Sequence, residues 1–396
     1  MKLKIYNRRF KIILTTVLFS GMLISCNKDL PVAIPITQPA PTGPSIADVI
    51  SDPSYSILKA AVTRANLTSL LSDKSKVFTF FAPDNTAMQA SGIPNEAAVN
   101  FFRAGQLDTL LRYNLIGGIK YSSDIIPTSF PNLYLQSNFI LSPPSTALPP
   151  GLRMPIFPSK NGFGLFVNNI PVTRADIPAA NGVVHRVAVV VMPPTQFLWD
   201  RINTDAGLTY LKAAIQRADS GVAAASTLQA ALQNPAANLT IFAPTDAAFQ
   251  QILTGQITLA LIAQGVPPAT AATTAATLAS SPTVFQNPAL FGVLTAQVVK
   301  GIVVYHILGQ RAFSVNLPTT ATFYPTLLNT AIPTHPGVKL QATFGLTGVT
   351  AATVQGVGNA TASNILINPT PAPGGTSDQH YINGTIHKIN QVLLPQ

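Results

Sequence analysis

The fold is decided by the stretch Thr240-Ile-Phe-Ala-Pro-Thr-Asp-Ala-Ala-Phe249. Its first four residues are typical of a short strand, which Pro244 stops because proline has no amide hydrogen to give to a sheet. Thr245 then stands where a helix N-cap belongs, and Asp246 and Phe249 follow in the first turns, with Phe249 on the buried side. The stretch therefore predicts a strand, a sharp stop and a helix that packs against the core.

The same pattern occurs earlier in the chain, so the sequence contains an internal repeat. Thr79-Phe-Phe-Ala-Pro-Asp-Asn-Thr-Ala-Met88 copies the stretch, with Pro83 and Asp84 in the places of Pro244 and Thr245. Three more segments recur in the same order, at residues 58–65 and 211–218, 110–115 and 302–307, and 181–187 and 383–389. Two copies are too few for a solenoid, whose units run about 20–50 residues, and they predict tandem globular domains.

The last repeated segment predicts a turn followed by the closing strand of each sheet. Asn181-Gly182 and Asn383-Gly384 are dipeptides typical of hairpin turns. His185 and His387 open the strands that follow, at equivalent positions. This equivalence favours a shared structural role for the two histidines, in packing or in fixing the turn.

Helical and strand patterns alternate irregularly along both copies. In residues 58–65 and 211–218, apolar residues recur at three- and four-residue spacing, the period of an amphipathic helix. We therefore predict an α+β fold with two tandem domains, each a small β-sandwich or wedge flanked by short helices. The expected domains are residues 46–195 and 196–396. About 31 extra residues between Phe249 and Tyr305 predict a helical insertion near 250–300 in the second domain.

These segments resemble the signatures of the fasciclin-like (FAS1) domain family. The first signature is matched almost fully at residues 242–249 and partly at 81–88. The last signature, which runs from the Asn-Gly dipeptide to a proline, fits residues 383–395 closely and 181–193 in part. The resemblance covers residues 46–195 and 196–396. It implies the fold described above and a broad role in extracellular adhesion, without specifying a ligand.

The family's middle signature, Tyr-His, stands at Tyr305-His306 but reads Tyr113-Asn114 in the first copy. In animal relatives this pair is a proposed partner contact, so the resemblance implies Tyr305 and His306 as candidate contact residues. The alternative is that Tyr305 fills the core while His306 hydrogen-bonds a neighbouring loop. Asn114 keeps hydrogen bonding but does not titrate near neutral pH, so the second domain is the expected active module if only one domain acts.

The amino terminus predicts export and a lipid anchor. Residues 1–25 combine a basic head with an apolar run of about 13 residues, too short to span a bilayer core of ~30 Å and typical of a signal peptide. The run ends at Leu-Ile-Ser-Cys26, which resembles the lipobox of bacterial lipoproteins and implies cleavage before Cys26 and its acylation, for instance with palmitate. The alternative is a plain signal peptide followed by a coincidental cysteine. Cys26 is the only cysteine, so no disulfide is expected.

Residues 26–45 predict a lipidated tether. Its part from residue 30 to 45 holds five prolines and is typical of an extended, semi-rigid spacer. Asn27-Lys28-Asp29 weakly resembles the signal that sends Bacteroidetes-type lipoproteins to the outer face of the outer membrane, and a random polar start is the alternative. The expected location is the outer membrane at the cell surface, with the periplasmic face as the second possibility.

Charge is scarce, at 10% of 396 residues against about 25% in ordinary domains. Five of the 24 basic residues lie in residues 1–25, so half of the formal net charge of +10 belongs to the leader and nucleic-acid binding is not expected. Residues 247–377 contain no carboxylate, which excludes a paired-carboxylate site or a calcium cage within them. No catalytic motif, metal cluster or cofactor loop is recognisable, so we expect no catalytic residue, metal or cofactor.

Two segments differ between the copies and could carry specificity, because binding residues often lie on loops of a rigid scaffold. Residues 256–281 predict two short helices around Pro267-Pro268, either a binding element or an extra cover over a sheet edge. Residues 130–166 hold six aromatic residues that could stack on sugar rings or fill strand cores. They are Phe130, Tyr134, Phe139, Phe157, Phe163 and Phe166.

The leading interpretation is a non-enzymatic adhesion or binding lipoprotein of the cell surface that recognises an extracellular glycan or a matrix protein. The alternative is an outer-membrane or periplasmic accessory lipoprotein of a nutrient-capture or envelope complex. The expected partners are the membrane, through Cys26, and a glycan or an extracellular protein. The oligomeric state is left open. Since residues 247–377, most of the second domain, contain no carboxylate, we expect its partner to be neutral or mildly acidic.

Overall fold

The computed structural model describes residues 42–125, 135–140, 153–345, 348–368 and 375–396. The predicted signal peptide, Cys26 and the spacer up to residue 41 lie outside these ranges, as do Phe130 and Tyr134. Two eight-stranded sheets with associated helices confirm the α+β fold class. Below, the first domain means residues 46–195 and the second domain residues 196–396.

The α-helices of the described residues precede or interrupt the strands of each sheet. In the first domain they are α1 (Ile46–Val49), α2 (Ser56–Arg64), α3 (Thr68–Ser72), α4 (Asn85–Ala90) and α5 (Ala104–Tyr113). In the second domain they are α6 (Leu198–Thr204), α7 (Thr209–Ala218), α8 (Leu228–Gln233), α9 (Asp246–Ala263), α10 (Pro268–Ala279) and α11 (Ala296–Tyr305). Short 3-10 helices cover Pro53–Tyr55, Ala97–Phe101, Ala224–Ser226, Pro282–Gln286, Pro288–Leu290, Ser314–Asn316 and Leu327–Thr330.

The first sheet has the strands β1 (Phe78–Pro83), β2 (Leu115–Gly117), β3 (Leu135–Ile140), β4 (Arg153–Ile156), β5 (Pro158–Asn161), β6 (Gly164–Val167), β7 (Ile170–Ala179) and β8 (Gly182–Val187). Their order in the sheet is β4-β3-β2-β1-β8-β7-β6-β5. The second sheet has the strands β9 (Leu239–Pro244), β10 (Ile307–Leu308), β11 (Thr322–Tyr324), β12 (Val338–Gly345), β13 (Gly348–Gln355), β14 (Ser363–Ile365), β15 (Gln379–Tyr381) and β16 (Gly384–Ile389). Its order is β10-β9-β16-β14-β13-β12-β11, and β15 pairs with β16.

The repeated stretch forms a central strand in each sheet. β1 runs parallel to β8 and antiparallel to β2, and β9 runs parallel to β16 and antiparallel to β10. Successive side chains of a strand point to opposite faces, so each central strand contributes to two cores. Ile241 and Ala243 pack with the helices, while Phe242 packs on the other face. Phe80 and Phe81 divide in the same way in the first domain.

The closing hairpin of each domain turns one residue earlier than the sequence predicts. The two turn residues are Ala180-Asn181 and Ile382-Asn383, and the glycine that follows is already paired in the strand. Gly182 has a φ of +150°, and a Cβ there would lie 1.9 Å from the carbonyl oxygen of Phe78 on the parallel neighbour. The prediction of a central Asn-Gly pair is therefore wrong in register, because the glycine serves the close approach of two strands.

The first domain begins within the predicted tether. Ser45 is the N-cap of α1: its hydroxyl accepts the amide hydrogen of Asp48, whose carboxylate accepts the Ser45 amide hydrogen at 2.8 Å. The carbonyl oxygen of Pro44 also accepts a hydrogen bond of 2.6 Å from the Ala180 amide. Ser45 is therefore part of the folded domain, and the spacer is shorter than the sequence indicates.

The insertion of the second domain consists largely of α9 and α10. Its first helix is not separate, because α9 begins at Asp246 after the Thr245 N-cap and continues through 18 residues to Ala263. Pro268 starts α10, which buries a row of alanines. No helix in the described ranges is sufficiently long and apolar to cross a membrane.

Candidate functional site

The asparagine of the last signature is a buried connector in both domains. Asn383 accepts the Leu198 amide hydrogen at 3.0 Å and donates to the Leu232 carbonyl at 2.9 Å. It therefore joins the first residue of α6 to the end of α8. Asn181 does the same in the first domain, where its side chain joins the first residue of α1 to the end of α3. These amides satisfy backbone groups at helix ends, which would otherwise be costly to bury.

The histidine of the same signature holds the loop that follows the second strand of each sheet. His387 accepts the Asp378 amide hydrogen through Nδ1 at 3.3 Å and donates from Nε2 to the Ala312 carbonyl at 3.1 Å. His185 makes the equivalent bonds to Asp176 and Lys120. Both rings are buried and stack on the central-strand phenylalanine. Burial lowers the pKa of His185, which favours the neutral ring.

Thr240, whose role was not predicted from the sequence, holds the same loop as His387. Thr240 Oγ1 accepts the Ala312 amide hydrogen at 2.7 Å, so Thr240 and His387 hold both backbone groups of one residue. Thr79 Oγ1 likewise accepts the Lys120 amide hydrogen at 2.8 Å. The signal was present in the sequence, because a threonine opens both copies of the quoted stretch.

The first signature caps two helices at once. Thr245 accepts the Ala248 amide hydrogen and so caps α9 itself, as Asp84 caps α4. The next residue, Asp246, accepts the Thr209 hydroxyl at 2.7 Å and the Tyr210 amide at 3.1 Å, which fixes the start of α7. Pro83 and Pro244 end their strands, and Phe249 is buried in the helical core. Each polar residue of the signature is therefore committed to the chain's own backbone or side chains.

Tyr305 lies fully inside the second domain. Its hydroxyl donates to the Gly337 carbonyl at 2.7 Å and accepts the Val357 amide hydrogen at 3.0 Å. The His335 ring lies nearly perpendicular to the Tyr305 ring, with 5.1 Å between the ring centroids. Burial raises the pKa of the phenol. Tyr305 thus holds two loops together and offers no surface to a partner.

His306 is 2% exposed and lies beside the last segment of the chain. Its Nδ1 donates to the Ile302 carbonyl and its Nε2 accepts the Leu393 amide hydrogen, both at 2.8 Å. Burial lowers the pKa of this imidazole to about 4, so the ring is neutral near pH 7. The candidate partner contact at Tyr305 and His306 is corrected by this placement, because neither side chain reaches the surface.

The first domain keeps half of this arrangement. Asn114 donates to the Leu110 carbonyl at 2.8 Å, as His306 does to Ile302, and also to the Val191 carbonyl at 2.9 Å. His306 instead accepts an amide hydrogen from the equivalent part of the last segment. Both residues therefore bind the last segment of their domain, Asn114 as a hydrogen-bond donor to Val191 and His306 as an acceptor from Leu393.

A buried polar group lies where the two domains meet. Arg311 donates to the carbonyl of Ile382, to Asn238 and to Nε2 of His380. His380 in turn approaches Asn168 of the first domain, with 3.3 Å between Nδ1 and the amide nitrogen. Burial and the Arg311 charge lower the pKa of His380 well below its usual value.

Three of the described aromatic residues of 130–166, namely Phe157, Phe163 and Phe166, pack against the second domain. Phe157 and Phe166 are buried in a cluster with Phe313 and Val315 of the second domain. Phe163 is half-exposed and stacks flat on Phe344, with ring centroids 4.4 Å apart. Phe139 is partly buried in the first domain. Of the two alternatives for these aromatic residues, filling a core is therefore the correct one for Phe157 and Phe166, and sugar stacking is not.

An open groove of about 710 Å³ lies beside α2 in the first domain. Lys59, Thr63 and Arg64 line one side and Glu96 and Asn100 the other. Phe101 follows Asn100 in the chain, outside the groove lining, and is 90% exposed, the highest exposure among the large apolar residues described. Groups of three or more His, Cys, Asp or Glu arranged to hold a metal ion do not occur in the part of the chain that the structure describes.

Comparison with known proteins identifies the family. The model of the Fasciclin domain matches residues 53–193. Protein sll1483 of Synechocystis sp. is 32% identical over 145 residues, which are 36% of this chain and 68% of that protein. The transforming growth factor-beta-induced protein ig-h3 of Sus scrofa is 32% identical over 151 residues, or 38% of this chain. That match spans only 19% of the length of the pig protein.

A solved structure titled as a FAS1 domain pair from the insect cell adhesion molecule Fasciclin I is also similar. It is 15% identical, with a TM-score of 0.34, and the alignment covers 88% of this chain and 95% of that one. From the family match and the Synechocystis relative, the chain belongs to the fasciclin domain family. Domains of this family are associated with cell adhesion and binding.

Proposed function

We propose that this chain is a non-enzymatic adhesion or binding lipoprotein, anchored through Cys26 and recognising an extracellular glycan or matrix protein. The observation that carries the proposal is that the signature residues hold the fold together and are not available to a partner. In both domains the signature asparagine, histidine and threonine bind the chain's own backbone. Recognition is therefore a task for side chains on the outer surface, which vary between the two domains.

Membership of the fasciclin family supports adhesion or binding as the general role. The leader and the cysteine at the end of its apolar run support the anchor. A lipid on Cys26 followed by a proline-rich spacer would hold the folded domains away from the membrane.

The test has a binding arm and a location arm. The full chain, purified in mild detergent, is applied to arrays of glycans and matrix proteins, and binding to at least one class is expected. Cells that express the chain are labelled with a palmitate analogue, and Cys26→Ser should abolish the label and the membrane fraction. A blank array contradicts the binding role, and a label that survives Cys26→Ser contradicts the anchor.

Protease treatment of whole cells separates the cell-surface protein from the accessory lipoprotein of a nutrient-capture or envelope complex. A surface adhesin is degraded, and a periplasmic partner is protected. Protection in intact cells with degradation after outer-membrane permeabilisation would favour the accessory role.

A further inference from the structure

The repeat provides an internal comparison for the groove beside α2. Lys59 and Arg64 of α2 correspond to Lys212 and Arg217 of α7. Both arginines donate from Nε to a loop carbonyl, Arg64 to Phe102 at 2.8 Å and Arg217 to Leu294 at 2.9 Å. The two helices therefore make the same contact with the loop next to them. A difference in the exposure of their residues comes from the segments that cover each helix.

The second domain covers this helix face with its insertion. The Tyr210 hydroxyl of α7 donates to the carbonyl of Ala279, the last residue of α10, at 2.6 Å. The 3-10 helix Pro282–Gln286 packs against α7, and the Arg217 guanidinium lies 3.7 Å from the centroid of the Phe291 ring. The first domain lacks this insertion. Lys59 is exposed where Lys212 is half-buried, and Ala60 is half-buried where Ala213 is buried.

The uncovered face carries the chemistry of a carbohydrate site. It offers the hydroxyls of Ser56 and Thr63, the amides of Asn66 and Asn100, and the cations of Lys59 and Arg64. Phe101 does not line the groove itself: it is the exposed last residue of the 3-10 helix Ala97–Phe101, directly after the lining residue Asn100. The volume of about 710 Å³ falls within the range of small-ligand sites, roughly 300–1,000 Å³, and suits a short oligosaccharide.

The charge of the groove favours an acidic sugar. Among the ion pairs of the described residues, none joins Lys59 or Arg64 to a carboxylate. Arg64 is held by two backbone carbonyls, which orient the guanidinium without neutralising it. The one carboxylate of the lining, Glu96, accepts the Ser56 hydroxyl. Two cations against one engaged carboxylate leave a net positive groove.

We propose that the groove beside α2 binds an acidic oligosaccharide, with Lys59 contacting a carboxylate or sulfate and Phe101 stacking on a sugar ring. This assignment rests on the proposed function, of which it specifies the ligand class and the domain. It places the binding site in the first domain, opposite to the expectation from the sequence.

The test measures binding of the full chain in mild detergent to tetragalacturonate, a heparin tetrasaccharide and neutral maltotetraose. One or both acidic probes should bind at low salt at least about tenfold more tightly than maltotetraose, with affinity falling as salt rises. Tetragalacturonate carries carboxylates only, whereas the heparin tetrasaccharide carries carboxylates and sulfates, so binding of heparin alone would assign the contact to sulfate.

Paired variants localise the site. Lys59→Gln should weaken binding of the acidic probe about tenfold, and Phe101→Ala about fivefold. The matched controls are Lys212→Gln on α7 and Phe323→Ala, another exposed ring in the second domain, and both should bind as the unmodified chain does.

The outcomes separate this inference from the proposed function. If the full chain binds an array glycan or matrix protein and keeps that binding in Lys59→Gln and Phe101→Ala, the groove assignment fails and the proposed function stands. If the arrays are blank, both fail. Equal binding of acidic and neutral probes would overturn the acidic ligand class. Loss of binding in Lys212→Gln instead would move the site to the second domain.

Discussion

The guanidinium carbon of Arg311, in the second domain, lies 4.6 Å from the centroid of the Phe157 ring, in the first domain. Arg311 is 1% exposed and Phe157 equally so. A desolvated cation–π contact of this kind stabilises by about 2 kcal/mol. Because Arg311 also donates to Ile382, Asn238 and His380, its position is fixed from several sides. The two domains therefore meet through buried, specifically oriented groups.

Replacing Phe157 with alanine should destabilise the protein by roughly 3–5 kcal/mol, the range of buried Phe→Ala substitutions. The variant removes the ring beneath Arg311 and its contact with Phe313, whose ring centroid is 6.1 Å away. Urea unfolding measures the change. The control is Phe163→Ala, whose ring is 54% exposed and should cost only about 1 kcal/mol. Equal losses in the two variants would contradict a buried interface at Phe157.

His306 should make stability fall as the pH drops from about 6.5 to 4. The folded-state pKa of about 4 lies below the ordinary value of 6.5, so in this window the unfolded chain binds a proton that the folded chain does not. The stability that depends on the neutral His306 ring is fully present above pH 6.5, and it is lost as the pH falls towards 4. The total is on the order of 3 kcal/mol. His185 and His380 shift in the same direction and add to the slope.

His306→Asn, which installs the residue of the first domain, should reduce that slope by the contribution of one histidine. Urea unfolding at several pH values between 7 and 4 measures it. His306→Ala should show the same reduced slope with lower stability at pH 7, because it leaves the Leu393 amide without its acceptor. A slope unchanged from that of the unmodified chain in both variants would refute the titration of His306.

Asn383→Ala should destabilise the protein by about 2–6 kcal/mol. It leaves the Leu198 amide and the Leu232 carbonyl without their side-chain partner, and each unsatisfied buried group costs ~1–3 kcal/mol. Thermal or urea unfolding gives the difference. Asn203→Ala, at an exposed position on α6, should stay within about 0.5 kcal/mol of the unmodified chain. A similar small effect at Asn383 would mean that water replaces the amide there.

Two glycine substitutions should change stability in opposite directions. Gly182→Ala places a Cβ against the backbone of β1 at a positive φ, so severe destabilisation or failure to fold is expected. Gly255→Ala lies on an exposed turn of α9 with no atom within 4 Å of its Cβ, and should stabilise by roughly 0.5–1 kcal/mol. Melting temperatures of the purified variants decide the point. A tolerated Gly182→Ala would contradict the register of β1 and β8.

Much of the architecture was accessible from local patterns. The stretch around Phe242 predicted a strand, a stop at Pro244 and a helix capped by Thr245, and all three are present. The repeat of this stretch around Phe81 then gave two domains of one α+β class, because both copies carry the same alternation of buried residues. Such features depend on neighbours within a few residues, which the sequence displays directly.

The candidate site was less accessible, because burial depends on distant residues. Tyr305-His306 has a polar character that suits a surface contact, yet the loops around Gly337 and Val357 and the last segment at Leu393 enclose both side chains. Their distances along the chain give no hint of this. The register of the closing hairpins was not predicted for a related reason. Gly182 is required because the backbone of Phe78, on a parallel strand distant in sequence, leaves no room for a Cβ atom.

The sequence by itself determined the family, the repeat and the local order of strands and helices, because periodicity, caps and proline stops act over a few neighbouring residues. Tertiary structure alone decided which signature side chains are buried, that Phe157 and Arg311 join the domains, and that the groove beside α2 is open. The physical reason is the insertion: about 31 residues added to the second domain cover a helix face whose equivalent in the first domain, with nearly the same sequence, stays exposed.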